Sequence, residues 1–319
     1  MPEAPAAQEV DGPAAKAGAV ALVGRPNAGK STLLNRVLGE KLAIVSDKPQ
    51  TTRHRLVGIL SEPDRGQMVF YDTPGLHRPL HRLNQQMMRA AREAIEACDV
   101  LCLIVDSSQA HGAGDAFALD LVAQAGAARV LALNKIDLVA KPRLLPEIAR
   151  YAARGIFTEI VPVSAATGDG VDRLLEVLWR LLPAGEALYD PELLTVHPER
   201  FLAAERIREK VLAATRHELP FTTAVLVERW EESDELVKIH AAILVERDSQ
   251  KKIVVGHGGA QIKSIGTAAR LDLEEQLGKR VYLDLHVRTE PRWRERDSTL
   301  AELNRELHAE LPARARDEA

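Results

Sequence analysis

Between an apolar strand candidate at residues 19–23 and a helix candidate at 30–38, the chain reads Gly24-Arg25-Pro26-Asn27-Ala28-Gly29-Lys30-Ser31. No other stretch restricts the fold so tightly. Its glycines let successive backbone N–H groups turn inward around a phosphate, and the helix N-terminus behind adds its dipole. Lys30 supplies a point charge to β- and γ-phosphates, while the Ser31 hydroxyl suits coordination of Mg²⁺. Such a phosphate loop works only at the end of a strand and the start of a helix. The rest of the first half obliges. Strand candidates at 56–60, 67–71, 100–105, 130–133 and 160–163 alternate with helix candidates at 83–98, 115–125, 142–154 and 171–182. The pattern predicts a doubly wound α/β domain over residues 18–182, its parallel sheet covered on both faces.

Three further motifs fall at strand ends, the edge where open α/β sheets bind ligands. Asp72-Thr73-Pro74-Gly75 follows the strand at 67–71. Its Asp suits the Mg²⁺ shell, and the Gly75 N–H suits a γ-phosphate. Alone this is an ordinary turn; downstream of a phosphate loop it gains meaning. Asn134-Lys135-Ile136-Asp137 follows the strand at 130–133. The Asp137 carboxylate can accept from guanine N1–H and the exocyclic amine together, at about 1.5–3 kcal/mol for each charge-assisted bond. Adenine lacks that amine and presents a lone pair at N1, so ATP is rejected. Lys135 is expected to lay its stem along the base, and Asn134 to tie this loop to the phosphate loop. Ser164-Ala165 ends the last strand, where a backbone N–H can donate to guanine O6. Together the four motifs describe a GTP or GDP pocket with Mg²⁺.

Past residue 182 the rhythm changes. Residues 183–198 hold three prolines and read as a linker. A helix at 199–216, strands at 222–230 and 236–247, two more helical stretches and a strand at 281–288 form a second unit, over residues 199–290. Residues 291–319 are charged and Ala-rich and read as a surface helix or a loose end. Residues 1–17, rich in Ala, Pro and Glu, read as a disordered tail.

The segments GRPNAGKST, KPQTTRHR, DTPGLH, NKID and VPVSAATGDGVDRLL resemble the bacterial Era family of GTPases. The resemblance extends through VERDSQKKIVVGHGGAQIKSIGTAARLDLEEQLGKRVYLDLHV, which is similar to that family's KH domain, and it covers roughly residues 18–294. It implies a P-loop GTPase domain followed by an α+β type II KH domain of order αββααβ. It also implies binding to single-stranded RNA at the 3′ end of 16S ribosomal RNA, work on the 30S subunit, and a monomer. Cytoplasmic location with peripheral contact to the inner membrane belongs to the same implication. Thr51 and Thr52 occupy the first switch, where a threonine completes Mg²⁺ coordination; Thr52 is favoured. Gly256-His257-Gly258-Gly259 becomes the G-x-x-G turn that clamps about four nucleotides. Arg247, Lys251, Lys252 and Lys263 make its surroundings positive, although carboxylates nearly match cations across the second unit. The family often has lysine where His257 stands, which makes phosphate contact here weaker or pH-sensitive.

Signalling GTPases place a glutamine after D-x-x-G to orient the attacking water. Leu76 stands there and cannot. Intrinsic hydrolysis is expected to be slow, on the order of 10⁻⁴–10⁻² s⁻¹. Asn27 resembles the asparagine by which glutamine-lacking relatives hold K⁺ beside the phosphates, giving it a catalytic part with Lys30, Thr52 and Gly75. His77, Arg78 and His81 read as solvated residues of the second switch.

Composition sets the outer limits. A net charge of −4 argues against nucleic-acid binding by the whole surface, and leaves room for a local patch. Two cysteines, Cys98 and Cys102, make no disulfide scaffold and read as core residues. No apolar run is long enough to span a bilayer. Two rival functions stay open: an RNA chaperone with GTP as a structural ligand, and a membrane-docked signalling GTPase.

Overall fold

The computed structural model describes residues 15–48, 51–76, 81–215 and 219–305. The expected 1–17 tail lies almost wholly outside them, as do His77, Arg78 and the chain after residue 305. The first unit opens with β1 (Lys16–Gly24), which begins before the expected boundary at residue 18, and α1 (Lys30–Leu38). The hairpin β2 (Leu56–Glu62) and β3 (Gly66–Asp72) follows, then α2 (Arg82–Ala97), β4 (Val100–Asp106) and α3 (Ala113–Ala123). It closes with β5 (Ala128–Asn134), α4 (Leu144–Ala152), β6 (Glu159–Pro162) and α5 (Val171–Leu181). The strand order is β2-β3-β1-β4-β5-β6, parallel except for the β2–β3 pair.

Strand alternation sorts the core into two layers. Val20 and Leu22 of β1, Cys102 and Ile104 of β4, and Val130 and Ala132 of β5 face α1 and α5, meeting Leu33, Leu34, Leu174 and Leu178. Their neighbours Ala21, Val23, Leu101, Leu103, Leu131 and Leu133 face the other way, onto Met88, Ala91, Leu119, Val122 and Tyr151. Both faces are apolar because both are covered, which is why the strands read as continuous hydrophobic runs. Neither cysteine forms a disulfide, and burial pushes the Cys102 thiol up to about 12.

The second unit is α6 (Glu199–Ala214), the short α7 (Leu219–Thr222), β7 (Ala224–Glu232), β8 (Leu236–Val245), α8 (Asp248–Val255), α9 (Ala260–Leu277) and β9 (Arg280–Thr289). Central β8 runs antiparallel to β7 and parallel to β9. Ile207 and Val211 of α6 and Ile265, Ala269 and Leu273 of α9 close over Val237, Ile239, Ala241 and Ile243. This is the expected helix–strand–strand–helix–helix–strand order, with α7 added.

Two readings change. Residues 183–198 are docked rather than loose, because β2 is an edge strand whose backbone groups need partners. Ile59 N–H donates to Leu194 O at 2.8 Å, Thr195 Oγ1 to Val57 O at 2.6 Å, and Val57 N–H to His197 Nε2 at 3.0 Å. The stretch after residue 290 is no loose end in its described part. Trp293 is fully buried, donating its indole N–H to Thr222 O at 2.8 Å. With Leu300, on α10 (Asp297–Asn304), it packs against Leu83 and Met87 of α2 and Ala224, Ala242 and Leu244 of the second sheet. A tryptophan among charges is worth burying at such a junction, since its area outweighs the cost of ordering two χ angles.

Trp293→Ala should therefore lower stability by about 3–5 kcal/mol, from the cavity and the lost hydrogen bond to Thr222 O. Urea unfolding checks this; a loss under 1 kcal/mol would mean that the junction collapses to fill the space.

Candidate functional site

All four loops of interest lie at the C-terminal edge of the first sheet, where parallel register brings neighbouring strand ends together. Asp106 of β4 stands opposite Asn134 of β5, and Leu22 of β1 opposite Asp72 of β3. The phosphate loop leaves β1 after Gly24. At Gly29, with φ +98°, an added Cβ would sit 2.2 Å from Asn134 Nδ2, so only glycine fits. Asn134 is 1% exposed. Its amide donates to Ala28 O at 2.8 Å and accepts from Ala165 N–H at 2.9 Å, so one side chain joins three of the four loops. Ile136 N–H donates to Val163 O at 3.3 Å, and Ser164 Oγ accepts Thr167 N–H at 3.1 Å. Asp137 is exposed at the rim, beside Lys135, whose φ of +64° reverses the chain.

The fourth loop closes on the first. Thr73 donates through its N–H and its hydroxyl to Leu22 O, at 3.3 and 2.8 Å, and Leu76 N–H donates to Gly24 O at 2.9 Å. Pro74 is buried, and Gly75 presses so close to Pro26 that a Cβ would lie 2.6 Å from Pro26 N. Leu76 is 1% exposed and belongs to the core layer with Met88 and Leu103. Its inability to orient water thus has a structural counterpart: it faces away from the crevice.

Three oxygens converge beside Lys30. Ser31 Oγ lies 2.6 Å from Asp72 Oδ2 and 2.9 Å from Thr52 Oγ1, and Thr52 Oγ1 lies 3.3 Å from Asp72 Oδ2. Thr51 instead donates to Lys48 O at 2.7 Å, so the geometry favours Thr52 over its neighbour. Asp72 Oδ1 is buried without a hydrogen-bond partner. An all-oxygen set with an orphaned carboxylate oxygen fits a hard divalent cation such as Mg²⁺. Burial pushes the Asp72 carboxyl up, against the pull of Lys30, Ser31 and Thr52. It likewise pushes the Lys30 ammonium down to about 8, with Asp72 opposing. Lys30 Nζ rests on Gly24 O and Arg25 O at 3.4 and 3.0 Å. Phosphates against the lysine and a cation against the carboxylate would relieve both groups.

Several contacts have no counterpart in the motifs. Arg25 Nη1 pairs with Asp115 at 2.8 Å, Lys135 Nζ with Asp106 at 2.7 Å, and Asn27 Nδ2 donates to Asp47 O at 2.7 Å. An aspartate at the end of β4 was the available signal for the second of these. His81 is not simply solvated: its Nδ1 lies 3.1 Å from Glu295. The second unit also grips the first switch. Arg208 donates to Thr51 O, Arg206 to Lys41 O, and Glu209 accepts Val45 N–H at 3.0 Å.

In the second unit, Gly256, His257, Gly258 and Gly259 link α8 to α9. The three glycines have φ of +74°, +55° and +79°, and no atom lies within 4 Å of a Cβ added at Gly258. A phosphate could reach that backbone directly. His257, Lys251, Lys252 and Lys263 are all exposed. Beside the turn a groove runs between α9, with Ile262, Gly266 and Arg270, and β9, with Leu283 and Leu285. Lys263 and Arg270 of α9 and Asp284 of β9 line it together with the apolar Ile262, Leu283 and Leu285, a mixed surface that suits unstacked bases. Among the described residues no His/Cys/Asp/Glu cluster could hold a metal, and no helix is long and apolar enough to cross a membrane.

Two families match along the chain. One is described as 50S ribosome-binding GTPase, over residues 19–135, and the other as KH domain, over 218–294. GTPase Era of Geobacter metallireducens is 48% identical over 290 residues, covering 90% of this chain and 97% of its own. GTPase Era of Staphylococcus haemolyticus is 44% identical over 280 residues, covering 88% and 93%. A crystal structure of Era in complex with MgGDPNP and nucleotides 1506–1542 of 16S ribosomal RNA superimposes with a TM-score of 0.86 at 36% identity, covering 91% of this chain and 98% of that one. Aquifex aeolicus Era bound to GDP.AlF4- does so equally well, over 90% of this chain and 98% of its own. With a phosphate loop, the Asn134–Asp137 rim and a G-x-x-G turn on one chain, and matched by these proteins over 88–91% of its length, the protein belongs to the Era family of GTPases.

Proposed function

We propose that the protein is a Mg²⁺-dependent GTP switch that binds the 3′ region of 16S ribosomal RNA through its second domain and acts in assembly of the 30S subunit. The observation that carries this reading is the joint match of both domains to the RNA-bound Era structure. The family described by the 50S subunit covers only residues 19–135, which exclude the G-x-x-G turn, so the small subunit is favoured. Crosslinking with RNA sequencing in the GDP and GTP states tests it; crosslinks in 23S RNA alone would overturn it. The same reading puts the protein in the cytoplasm, as a monomer. Peripheral contact with the inner membrane is the rival location, and fractionation separates the two.

The geometry supports the following roles. The backbone of residues 24–31 wraps the phosphates, and Lys30 neutralises β- and γ-oxygens. Ser31, Thr52 and Asp72 would hold Mg²⁺, and a bound Mg²⁺ would supply charge withdrawal from those oxygens. The Gly75 N–H would serve the γ-phosphate and the Asp137 carboxylate would read the base beside the Ser164-Ala165 loop, whose Ala165 N–H is itself given to Asn134 Oδ1. Asn27 has spent its amide nitrogen on Asp47, leaving its oxygen for a monovalent cation that would offset charge between β- and γ-phosphates as an arginine does. In the RNA domain, Gly256–Gly259 admits the phosphate backbone, with His257, Lys251, Lys252 and Lys263 around it. Multiple turnover separates this switch from a chaperone that keeps GTP as a structural ligand.

Three outcomes are expected. Asp137→Asn should move preference from GTP to xanthosine triphosphate, whose C2 carbonyl suits an amide donor; nucleotide competition measures this, and retained GTP preference would remove Asp137 from base recognition. Replacing His257 and Gly258 together with aspartate should abolish single-stranded RNA binding with GTP affinity intact. Gly258 has room for a Cβ, but its φ of +55° strains any L side chain, so retained GTP affinity and circular dichroism check folding. Unchanged RNA affinity of the folded variant in a filter-binding assay would shift the RNA site elsewhere. Hydrolysis should run faster in K⁺ than in Na⁺ at equal ionic strength, and Asn27→Ala should erase the difference; equal phosphate release in both salts would end the cation role.

A further inference from the structure

The loop from β4 to α3 contains none of the nucleotide motifs, yet its two ends hold two of them. Asp106 at the start takes the Lys135 ammonium at 2.7 Å, and Asp115 at the far side takes the Arg25 guanidinium at 2.8 Å. The first contact carries a specific consequence. We propose that Asp106 is a positioning residue for guanine recognition, fixing the Lys135 side chain so that its stem lies ready along the plane of the base.

Asp106 is itself immobilised. It stands in register with Asn134 on the neighbouring parallel strand, and Ser107 N–H donates to Asn134 O at 2.9 Å. Its Oδ1 accepts from Ser108 N–H at 2.9 Å and from Ser108 Oγ at 2.5 Å, so only Oδ2 is left for the lysine. Burial alone would push this carboxyl up. The hydrogen bonds from Lys135 and Ser108 outweigh it and hold the group below the usual carboxylate range, so it stays ionised. The acid side chain is only 12% exposed and the lysine 28%, so the pair is partly shielded from water.

Lysine is a flexible stem bearing a point charge, and much of its rotamer freedom must be lost when it packs on a ring. A fixed carboxylate beyond the stem removes that freedom before the nucleotide arrives. The backbone on either side is already set: Asn134 is locked inward, and Lys135 sits in the left-handed region. Only the side chain remained to be ordered, and Asp106 orders it. This inference rests on the guanine-pocket reading above.

The test is made on the full-length protein by titration with fluorescent nucleotides. Asp106→Ala should raise the dissociation constants of GDP and GTP about tenfold, the scale expected when a side chain must be ordered anew on binding. Inosine nucleotides lack the exocyclic amine that Asp137 reads, and they should lose the same factor, because stacking does not sense that amine. In a Lys135→Ala background, adding Asp106→Ala should change affinity by less than about twofold, since the residue acts through the lysine. Asp106→Asn keeps the acceptor for Ser108 but loses the ion pair, and should behave like the alanine variant. Unchanged affinity in folded Asp106→Ala, a loss confined to guanosine nucleotides, wild-type behaviour of Asp106→Asn, or a full tenfold loss surviving in Lys135→Ala would each overturn the proposal. Failure of the parent reading is distinct: wild-type protein that binds ATP as well as GTP would remove the guanine pocket itself.

Discussion

One carboxamide holds the nucleotide edge of the first domain together. Asn134 bonds to the phosphate loop on one side and to the base-side loop on the other, and it is shut away from water. Each of those loops leaves a different strand, and strand packing alone sets their bases, not their tips. A buried amide with both donor and acceptor satisfied fixes the tips as well, and leaving either half unmet would cost about 1–3 kcal/mol. Gly29 must lack a side chain because Asn134 occupies the space. Ala28, Gly29, Asn134 and Ala165 thus form one steric and hydrogen-bonded unit.

The second domain is held to the first by groups that belong to the switch. Arg206, Arg208 and Glu209 project from α6 onto the backbone at Lys41, Thr51 and Val45. Arg208 is itself fixed by Glu205 through Nε and Nη2, at 2.7 and 2.6 Å. Glu209 and Asp272 together receive Lys41 at 2.7 and 2.9 Å, and Asp272, on α9, also takes Arg206 at 3.0 Å. Since α9 begins at the G-x-x-G turn, a short chain of charged contacts joins the helix behind that turn to the segment carrying Thr52. Such contacts supply a physical route between the sites; whether they carry coupling is a matter of energies in two states.

Much of this was legible beforehand, for identifiable reasons. The central strands announced themselves because both sheet faces are covered, so Val100–Asp106 and Ala128–Asn134 are apolar without interruption. Local motifs gave the phosphate loop, the rim and the G-x-x-G turn, since backbone geometry there demands particular residues. Boundaries slipped where local chemistry is ambiguous: the helix expected from residue 142 starts at Leu144, after a 3-10 turn at Lys141–Arg143. Long-range partners left no periodic trace. Asp106 at the end of β4 and Asp115 in the first turn of α3 are single carboxylates outside any motif, and nothing in the pattern around Trp293 told of α2, some two hundred residues away. The docked segment at 183–198 read as a linker because its partner, the edge of β2, is distant in sequence.

Helix α6 lies across both hydrophobic cores. Its first turn contributes Phe201 and Leu202 to the layer beneath α1 and α5, while Ala203, Ile207 and Val211 belong to the second domain. A 16-residue helix is a rod of about 24 Å that resists bending, because bending strains every backbone bond along it. Swivelling of one domain about the other therefore has no soft joint in the middle. It must either withdraw Phe201 from its socket, at about 2 kcal/mol of lost apolar burial, or unwind the turn that carries it. The pair is thus less like beads on a string than like two blocks pinned by one dowel, seated in both.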